Sequence, residues 1–526
     1  MHNSLKAAVL VPPHKGLPAW EAVMLQQALG EGLLQDIVFL AAPEKKAIKG
    51  SLVYRLYKKF EDHWFRTVPD AFSITPVKEL FPAAPVLNAG ENNPANTDLL
   101  FRSCLTDPAY HPGPVPPMGI WSIRLGNGAY EAAALPAFGE VMNDEPVTGS
   151  SLWVQFPGQN NALKVYDGYS NTVPYSIKNN LCVQAWKAST FLAYRLKELL
   201  SLGKESFIKK YSSAMQSGRP GLRAYAEVPG NLRMAALIIR NAWRYLRYKR
   251  KSKFQSQRFT LLFQRGDFNG HPPDLGAFTV LEPPAGCFWA DPFVSTAGNE
   301  HYLFFEEFSY SRNKAHISLL KLDASGKFSK PEIVLDKPYH LAYPFLFCWQ
   351  DEHYMIPDTS ANHTVELYKA TRFPRQWELQ CLLLKDTLLI DPTLWLENDT
   401  WWLFGCAAGP AHTSTNDQLL LYYSRDLLSG NWTPHPQNPV VTHIAGCRPA
   451  GKIFRMNGQL FRPAQNNASS QYGYALALNR ITLLSETEYR EEMAWSLLPG
   501  KENNLRAVHT LNFSAGIIVA DGIPRK

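Results

Sequence analysis

The chain has 526 residues, with 53 Lys and Arg against 46 Asp and Glu, a net charge of +7, and 45% hydrophobic and 12% aromatic residues. That length exceeds one ordinary domain and provides for two or three. The balance excludes a disordered or fibrous chain, and no apolar run reaches the roughly 18–20 residues of a membrane-spanning helix.

The N-terminal stretch "MHNSLKAAVLVPPHKGLPAW" carries a short apolar run that meets prolines at once, which reads as a first strand and not as a signal peptide. Seven scattered cysteines (104, 182, 287, 348, 381, 406 and 447) form no C-x-x-C pair. They read as reduced, mostly buried thiols and predict a cytoplasmic protein. Residues 1–215 alternate strand-like runs ("AAVLVP", "DIVFLAAP", "DLLFRSCL", "SLWVQF") with helix-like runs ("AWEAVMLQQALGEGLL", "NNLCVQAWKASTFLAYRLKELLSLG"). This alternation predicts an α/β sheet with crossover helices.

The Pro/Gly-rich "SGRPGLRAYAEVPGN" opens a boundary region, 216–258. Within it, residues 231–258 hold nine Lys and Arg and no acid, so the rest of the chain is slightly acidic. Leu232, Ala235, Ala236, Ile239, Ala242, Trp243 and Leu246 recur at helical spacing, with arginines over much of the other face. Such a basic amphipathic helix fits peripheral contact with a membrane surface. It equally fits a linker helix packed between domains. Nucleic acid is not expected as a partner, because no known module accompanies the charge.

From residue 259 to 526, short aromatic and β-branched runs sit between Gly, Asn, Asp and Pro turns, which predicts an all-β domain. One motif recurs five times. Its heads are Asp291-Pro292, Tyr343-Pro344, Asp391-Pro392, Arg448-Pro449 and His509-Thr510, spaced 52, 48, 57 and 61 residues apart. A period near 50 with several strands per unit predicts a five-bladed β-propeller. The stretch 259–281 is available to close the ring with the last unit.

In three units a polar or small residue follows the head by 15 positions: Glu306, Asp358 and Cys406. A strand, a tight turn and a returning strand bring such a residue back beside the head. Heads and tails of all blades then converge on one mouth. Asp291, Glu306, Glu307, Asp358 and Asp391 are expected there, with Arg448, Arg462, Gln465 and His509, and with Tyr343 and His340 nearby. Asp521 is a further candidate. Clustered carboxyls raise one another's proton affinity and arginines lower it, which provides one protonated acid and one ionised base. Two carboxyls flanking an acetal bond is what glycoside cleavage requires. A polar axis that merely pairs with itself and binds water is the plainer alternative.

The motifs "ADPF", "LFFEE", "YPFLF", "YMIPDTS", "LYKATRFPRQW", "DPTLW", "WWLF", "PHPQNPV", "RPAGKIF", "RPAQ" and "HTL" cover residues 285–525 in order. Through them this half resembles the five-bladed propellers of glycoside hydrolase family 43. It is closer still to the propeller-like N-terminal region of plant glucosamine inositolphosphorylceramide transferases and related bacterial proteins. The resemblance implies Asp291 as general base and Asp391 as the residue that tunes pKa or holds substrate. The acid would be Asp358 or Glu307, although related sequences carry Glu at the position of Asp358. Glu306, Tyr343, His340, Arg448, Arg462, Gln465 and His509 would bind substrate.

Residues 1–215 resemble the formyltransferase fold through "KAAVLVPPHKGLPAWEAVMLQQALGEGLLQDIVFLA", "GIWSIRLGNGAYEAAALPAFGEVMNDEPVTGSSL" and "YSIKNN". Ser122 and Arg124 stand where that family places its catalytic Asn and His, and Asp167 is the downstream acid in an altered setting. A sugar N-formyltransferase is therefore disfavoured.

The expectation is a multidomain chain: a formyltransferase-like α/β domain (1–215), a boundary and basic helix (216–258), and a five-bladed propeller (259–526). Its expected role is carbohydrate binding or chemistry in glycan or glycolipid biosynthesis, with a sugar or nucleotide-sugar as ligand. A non-catalytic scaffold at a membrane surface, binding an acidic sugar, nucleotide-sugar or partner, is the alternative. No cofactor and no metal are expected.

Overall fold

In a computed structural model of the chain, the run LKAAVLV forms the strand Leu5–Val11, and six of its seven residues are buried. Continuous burial marks a strand covered on both faces. It lies inside a seven-stranded sheet whose order across the sheet is Val86–Leu87, Leu34–Ala41, Leu5–Val11, Leu99–Arg102, Ile120–Leu125, Val147–Gln155 and Leu163–Asn171. In chain order that is 3-2-1-4-5-6-7. The first five strands across are parallel, the sixth runs against them and the seventh returns. The predicted α/β alternation is therefore present.

All residues are described except 1–3, 14–15, 46–49, 68, 88–96, 111–112, 128–134, 215–227, 255–257, 299, 324–325, 410, 412–413, 470–471 and 526. Most of the Pro/Gly boundary stretch falls outside the described residues. The chain separates into Met1–Arg250 with Gly409–Thr413, and Lys251–Ala408 with Ser414–Lys526.

In the first unit the long helix-like run 179–203 becomes two helices, Ile177–Ala188 and Phe191–Leu202. The break has a local cause. Ser189 Oγ donates to Trp186 O at 2.7 Å, and Thr190 Oγ1 donates to Lys187 O at 3.1 Å. These hydroxyls take up carbonyls at the helix end and cap it there. Buried Glu61, on helix Leu52–Trp64, accepts from Ser176 Oγ at 2.8 Å and Lys178 N at 3.0 Å. A carboxylate so placed satisfies the exposed amides and dipole of the next helix N-terminus.

The second unit is five four-stranded antiparallel sheets. The strands of blade one are Cys287–Ala297, Glu300–Ser309, Lys314–Leu322 and Glu332–Leu335. Blade two has Ala342–Trp349, Glu352–Asp358, Val365–Arg372 and Gln376–Leu384. Blade three has Leu389–Glu397, Thr400–Ala407, Leu419–Ser424 and Thr433–Pro434. Blade four has Phe454–Met456, Gln459–Asn466, Ala475–Leu484 and Tyr489–Leu497.

Blade five joins the two ends of the unit. Leu505–Ser514 pairs with Ile517–Pro524, which pairs with Thr260–Arg265, which pairs with Thr279–Leu281. A shared apolar cluster then seals the ring, with Leu261, Phe263, Ile517 and Val519 of blade five against Trp289, Leu303 and Phe305 of blade one. The five-bladed propeller read from the repeats is the observed fold.

Candidate functional site

The repeated heads sit at one kind of backbone irregularity. The register slips between Ala290 and Phe293, between Ala342 and Phe345, and between Ile390 and Thr393. In each slip the head residue is left-handed: φ is 52° at Asp291, 44° at Tyr343 and 52° at Asp391. A fourth slip lies between Val508 and Leu511 and contains His509. A bulge frees the head from the ladder and re-aims its side chain, and backbone of this kind in non-glycine residues collects at functional sites. The tails return as the spacing requires: Glu306 pairs with Ala290, and Asp358 with Ala342.

The heads and tails gather into one buried cluster. Asp521, fully buried, accepts from Asp291 N at 2.8 Å and Thr510 N at 3.0 Å. Its Oδ1 also lies 2.7 Å from His509 Nδ1, so this carboxylate fixes the ring and leaves Nε2 facing Asp291 Oδ1 at 3.4 Å. Burial pulls the His509 pKa down, but the Asp521 and Asp291 carboxylates outweigh it and the net shift is upward. Asp291 Oδ1 is buried and makes no hydrogen bond. Burial pushes the Asp291 carboxyl up to about 7, with Asp391 and Asp521 adding to the rise and His509 opposing it.

Glu306 has its pKa raised well above the usual carboxylate range, first by burial and then by Asp291, Asp358 and Asp391. His340 lies beside it, with Nε2 3.4 Å from Glu306 Oε1. His340 Nδ1 accepts from Ala315 N at 3.2 Å, which leaves the N–H on Nε2, toward Glu306. Burial lowers the His340 pKa and keeps it neutral.

Asp391 is gripped by Arg448, with Nε donating at 2.5 Å and Nη2 at 3.4 Å, and Gln465 Nε2 donates to it at 3.3 Å. Arg448 Nη1 donates to Asn416 Oδ1 at 2.9 Å. Asp358 spends both oxygens on backbone, accepting from Ser360 N at 2.8 Å and Asp391 N at 3.2 Å.

Three expected residues point elsewhere. Glu307 is on the opposite face of its strand from Glu306, where Ser318 Oγ donates to it at 2.6 Å and Trp289 Nε1 at 3.2 Å. Burial pushes its pKa up, but these bonds and His316 hold it below the usual range. Of these two neighbouring acids it is Glu306, and not Glu307, that faces the cluster, because successive side chains of a strand face opposite ways. Arg462 is fully buried inside blade four, donating to Glu491 through Nε at 2.9 Å and Nη2 at 2.6 Å, so its guanidinium is spent within the blade and does not reach the cluster.

Tyr343 lies beneath the cluster. Gly451 N donates to its hydroxyl at 2.9 Å, and Thr393 Oγ1 is 3.0 Å away, so it ties blades two, three and four together. Gly451 has φ 148°, and a Cβ there would meet Leu511 O at 2.1 Å. Gly451→Ala is expected to destabilise the propeller by about 1–3 kcal/mol, read from the urea midpoint.

Tyr472 and Asn416 join the cluster without any repeat spacing to announce them. The Arg448 guanidinium lies 5.1 Å over the Tyr472 ring, an arrangement that favours a cation. Asp291, His509 and Asp521 offer ligand atoms within 4.8 Å of one another. With His509 Nδ1 and Asp521 Oδ1 bonded to each other, Asp291 Oδ1 and His509 Nε2 are what remains of that set. Two donors do not make a closed metal site.

In the first unit Ser122 and Arg124 are half-buried on Ile120–Leu125. Asp167 accepts from Lys164 Nζ at 2.8 Å and Tyr169 Oη at 3.2 Å.

Fold and cluster together define a closed five-bladed propeller whose repeats bring buried carboxyls, a histidine and an arginine together. Residues 280–507 match the family model described as glucosamine inositolphosphorylceramide transferase 1, N-terminal. This half is similar in sequence to the proteins of that name from Oryza sativa subsp. japonica, 36% identical over 233 residues. It is likewise similar to that of Arabidopsis thaliana, 33% identical over 239 residues. Each alignment covers 43% of this chain and 31% of the relative, so the chain spans about a third of the length of the curated relatives it matches. Among solved structures, a family 117 glycoside hydrolase of Zobellia galactanivorans is 11% identical with a TM-score of 0.34, over 50% of this chain and 90% of that one. An exo-β-1,3-galactanase from Clostridium thermocellum is 15% identical with a TM-score of 0.33, over 50% of this chain and 63% of that one.

Proposed function

We propose that the centre of the propeller binds a sugar and that the protein serves glycan or glycolipid assembly. The observation that carries this is the convergence of Asp291, Glu306, Asp391 and His509, from three different blades, with burial driving all three carboxyls toward the protonated form. Fully paired structural carboxylates do not need that. In this reading Glu306 holds the proton a leaving oxygen would take, and Asp291 is the base, ionised above about pH 7. Asp391, held by Arg448, sets the field between them. Residues 231–258 give the protein a peripheral place at a membrane.

Five carboxyls (Asp291, Glu306, Asp358, Asp391 and Asp521) face one guanidinium and one imidazole drawn toward its charged form, His509, while burial holds His340 neutral. Acid still outnumbers base when Asp291 and Glu306 both hold protons. Arg448 is also spent on Asp391 and Asn416. A neutral or amine-bearing sugar suits this centre better than a uronic acid or a nucleotide-sugar. The relatives' name contains an amino sugar, in keeping with this.

The scaffold alternative draws on a specific observation too: both oxygens of Asp358 are committed to backbone amides. For the first unit we propose a formyltransferase-like fold without formyl transfer, since Ser122 and Arg124 replace the Asn and His that reaction uses.

Thermal shift with neutral sugars, amino sugars, uronic acids and nucleotide-sugars tests the reading on wild type and Asp291→Asn. A neutral or amino sugar should raise the wild-type melting temperature and leave the variant unmoved. Equal responses of both proteins, or none, would remove the centre as the site. A response to acidic sugars alone would overturn the charge argument.

A further inference from the structure

The apolar positions that the sequence sets along 231–246 are not the ones that pack. Helix Asn231–Phe254 lies on the first unit through Met234 and Leu237, both buried, with Ile238 half-buried. Leu232, Ile239, Trp243 and Leu246 are instead 90%, 71%, 59% and 60% exposed. At 100° per residue this second stripe is on roughly the opposite side of the helix. A linker helix that buried its stripe would not leave it in solvent.

A neighbouring helix does the same. Leu52, Leu56, Phe60 and Trp64 recur every four residues along Leu52–Trp64 and are 56%, 58%, 48% and 68% exposed. The two helices pack side by side and run the same way. Val53 N donates to Asn231 Oδ1 at 3.1 Å, Asn241 Nδ2 reaches Tyr57 Oη at 3.5 Å, and the rings of Phe65 and Tyr245 are 6.5 Å apart. Among the described residues of Met1–Arg250, twelve large hydrophobics are exposed, and eight are on these two helices. That concentration is a patch and not ordinary surface scatter.

The charge around the patch is mostly basic. Arg55, Lys58 and Lys59 are exposed on the first helix, and Arg233, Arg247 and Arg250 on the second. On the two helices one exposed carboxylate stands against them, Asp62, because Glu61 is buried and spent on Ser176 and Lys178; beside them Asp144 is paired with Arg244. The Arg247 guanidinium lies 5.4 Å over the Trp243 ring. Basic side chains flanking exposed Trp, Phe and Leu are the composition of an interfacial helix that lies in the headgroup region. No helix among the described residues is long and apolar enough to cross a membrane.

We infer that Leu52–Trp64 and Asn231–Phe254 together form one docking face for an anionic lipid surface, with Trp64 and Trp243 seated among the headgroups. The inference rests on the membrane-peripheral reading above and extends it to a second helix and to a lipid charge. It is independent of the sugar site.

Flotation of the full chain with phosphatidylcholine vesicles, and with vesicles that also contain phosphatidylserine, tests it. The variants are Trp64→Glu and Trp243→Glu, with Trp64→Ala as a milder change. Both tryptophans are exposed, and melting curves check that the fold is kept. Wild type should float with the anionic vesicles and not with the neutral ones, less so at high salt. Each Glu variant should lower the bound fraction by about tenfold, since each removes an apolar anchor and adds a repelled charge.

Absence of wild-type flotation with anionic vesicles would overturn the inference. Loss with Trp243→Glu but not with either Trp64 variant would overturn the two-helix face. A wild-type dimer that Trp64→Glu dissociates, with no lipid binding, would assign the face to a second copy of the chain. Asp291→Asn should float like wild type, so failure at the sugar site and failure at the lipid face are read separately.

Discussion

Asp291→Asn is expected to make the propeller more stable than wild type at pH 8 and nearly equal to it at pH 4. The Asp291 carboxyl is pushed up to about 7 in the folded protein, chiefly by burial, whereas an unfolded Asp titrates near 3.9. A raised folded pKa means that the native state binds the proton more tightly. The associated stability is complete below the unfolded value and is lost as pH rises toward the folded one. Above about pH 7 wild type therefore carries a buried ionised carboxylate that His509 compensates only in part, and Asn does not. An isolated group shifted this far would account for about 4 kcal/mol. His509 offsets part of it, because the variant removes one of its two carboxylate neighbours, and about 1–3 kcal/mol is expected. The backbone adds no penalty, since Asn is among the residues that accept the left-handed φ of 52°. Calorimetric melting of both proteins from pH 4 to pH 8 reads the difference. A variant less stable than wild type at pH 8 would make Asp291 a structural partner of His509 and would sink the proposed site. A gain in stability together with a lost sugar response is the trade expected of a strained functional group.

Glu491→Ala is expected to be the most damaging single change in blade four, costing about 3–5 kcal/mol. Arg462 has no exposed surface, and Glu491 is its carboxylate partner. Without Glu491 a buried guanidinium has no carboxylate partner and is left with neutral acceptors such as the carbonyls of Gly446 and Cys447. Asn479 Nδ2, at 2.8 Å, and Tyr489 Oη, at 2.5 Å, lose the same acceptor, which adds desolvated donors to the loss. Glu491→Gln keeps the shape and some of the bonds and should fall between. Urea midpoints of the three proteins check the order. Glu491→Ala within about 1 kcal/mol of wild type would mean that the pair is wet and weak, as surface pairs are.

The propeller was readable because its repeats are written in chemistry that only one arrangement satisfies. Heads near 50 residues apart and tails 15 residues on fix both the blade and the end at which each blade presents its polar group. Register at single-residue precision was not readable. Glu306 and Glu307 are adjacent acids, and which one faces the centre depends on the bulge at Asp291-Pro292, which no composition reveals. Arg462 looked available because an arginine reads the same whether it faces a ligand or a Glu491 that is 29 residues away. Asp521 follows His509 by 12 positions and not 15, so the hairpin rule passed it by. In the first unit the α/β alternation was plain, but the turn at Ser189 and Thr190 was hidden inside one continuous helical pattern. Helix Asn231–Phe254 carries apolar residues on two sides, and periodicity cannot say which side the rest of the unit will cover.

The closing blade gives the centre a birth order. Its inner pair, Leu505–Ser514 and Ile517–Pro524, supplies His509 and Asp521, while Thr260–Arg265 on the same sheet is made more than two hundred residues earlier. During synthesis the chain emerges from its N-terminal end, so blades one to four can be complete while Asp291 still has no Asp521 to hold its amide and no imidazole beside it. A ribosome stalled between blade four and residue 509 carries most of a propeller whose cluster lacks both His509 and Asp521. Thr260–Arg265 meanwhile waits as an open edge. The cluster cannot be complete until the last strand has been threaded home, and a chaperone that shields that edge would act before the cluster exists.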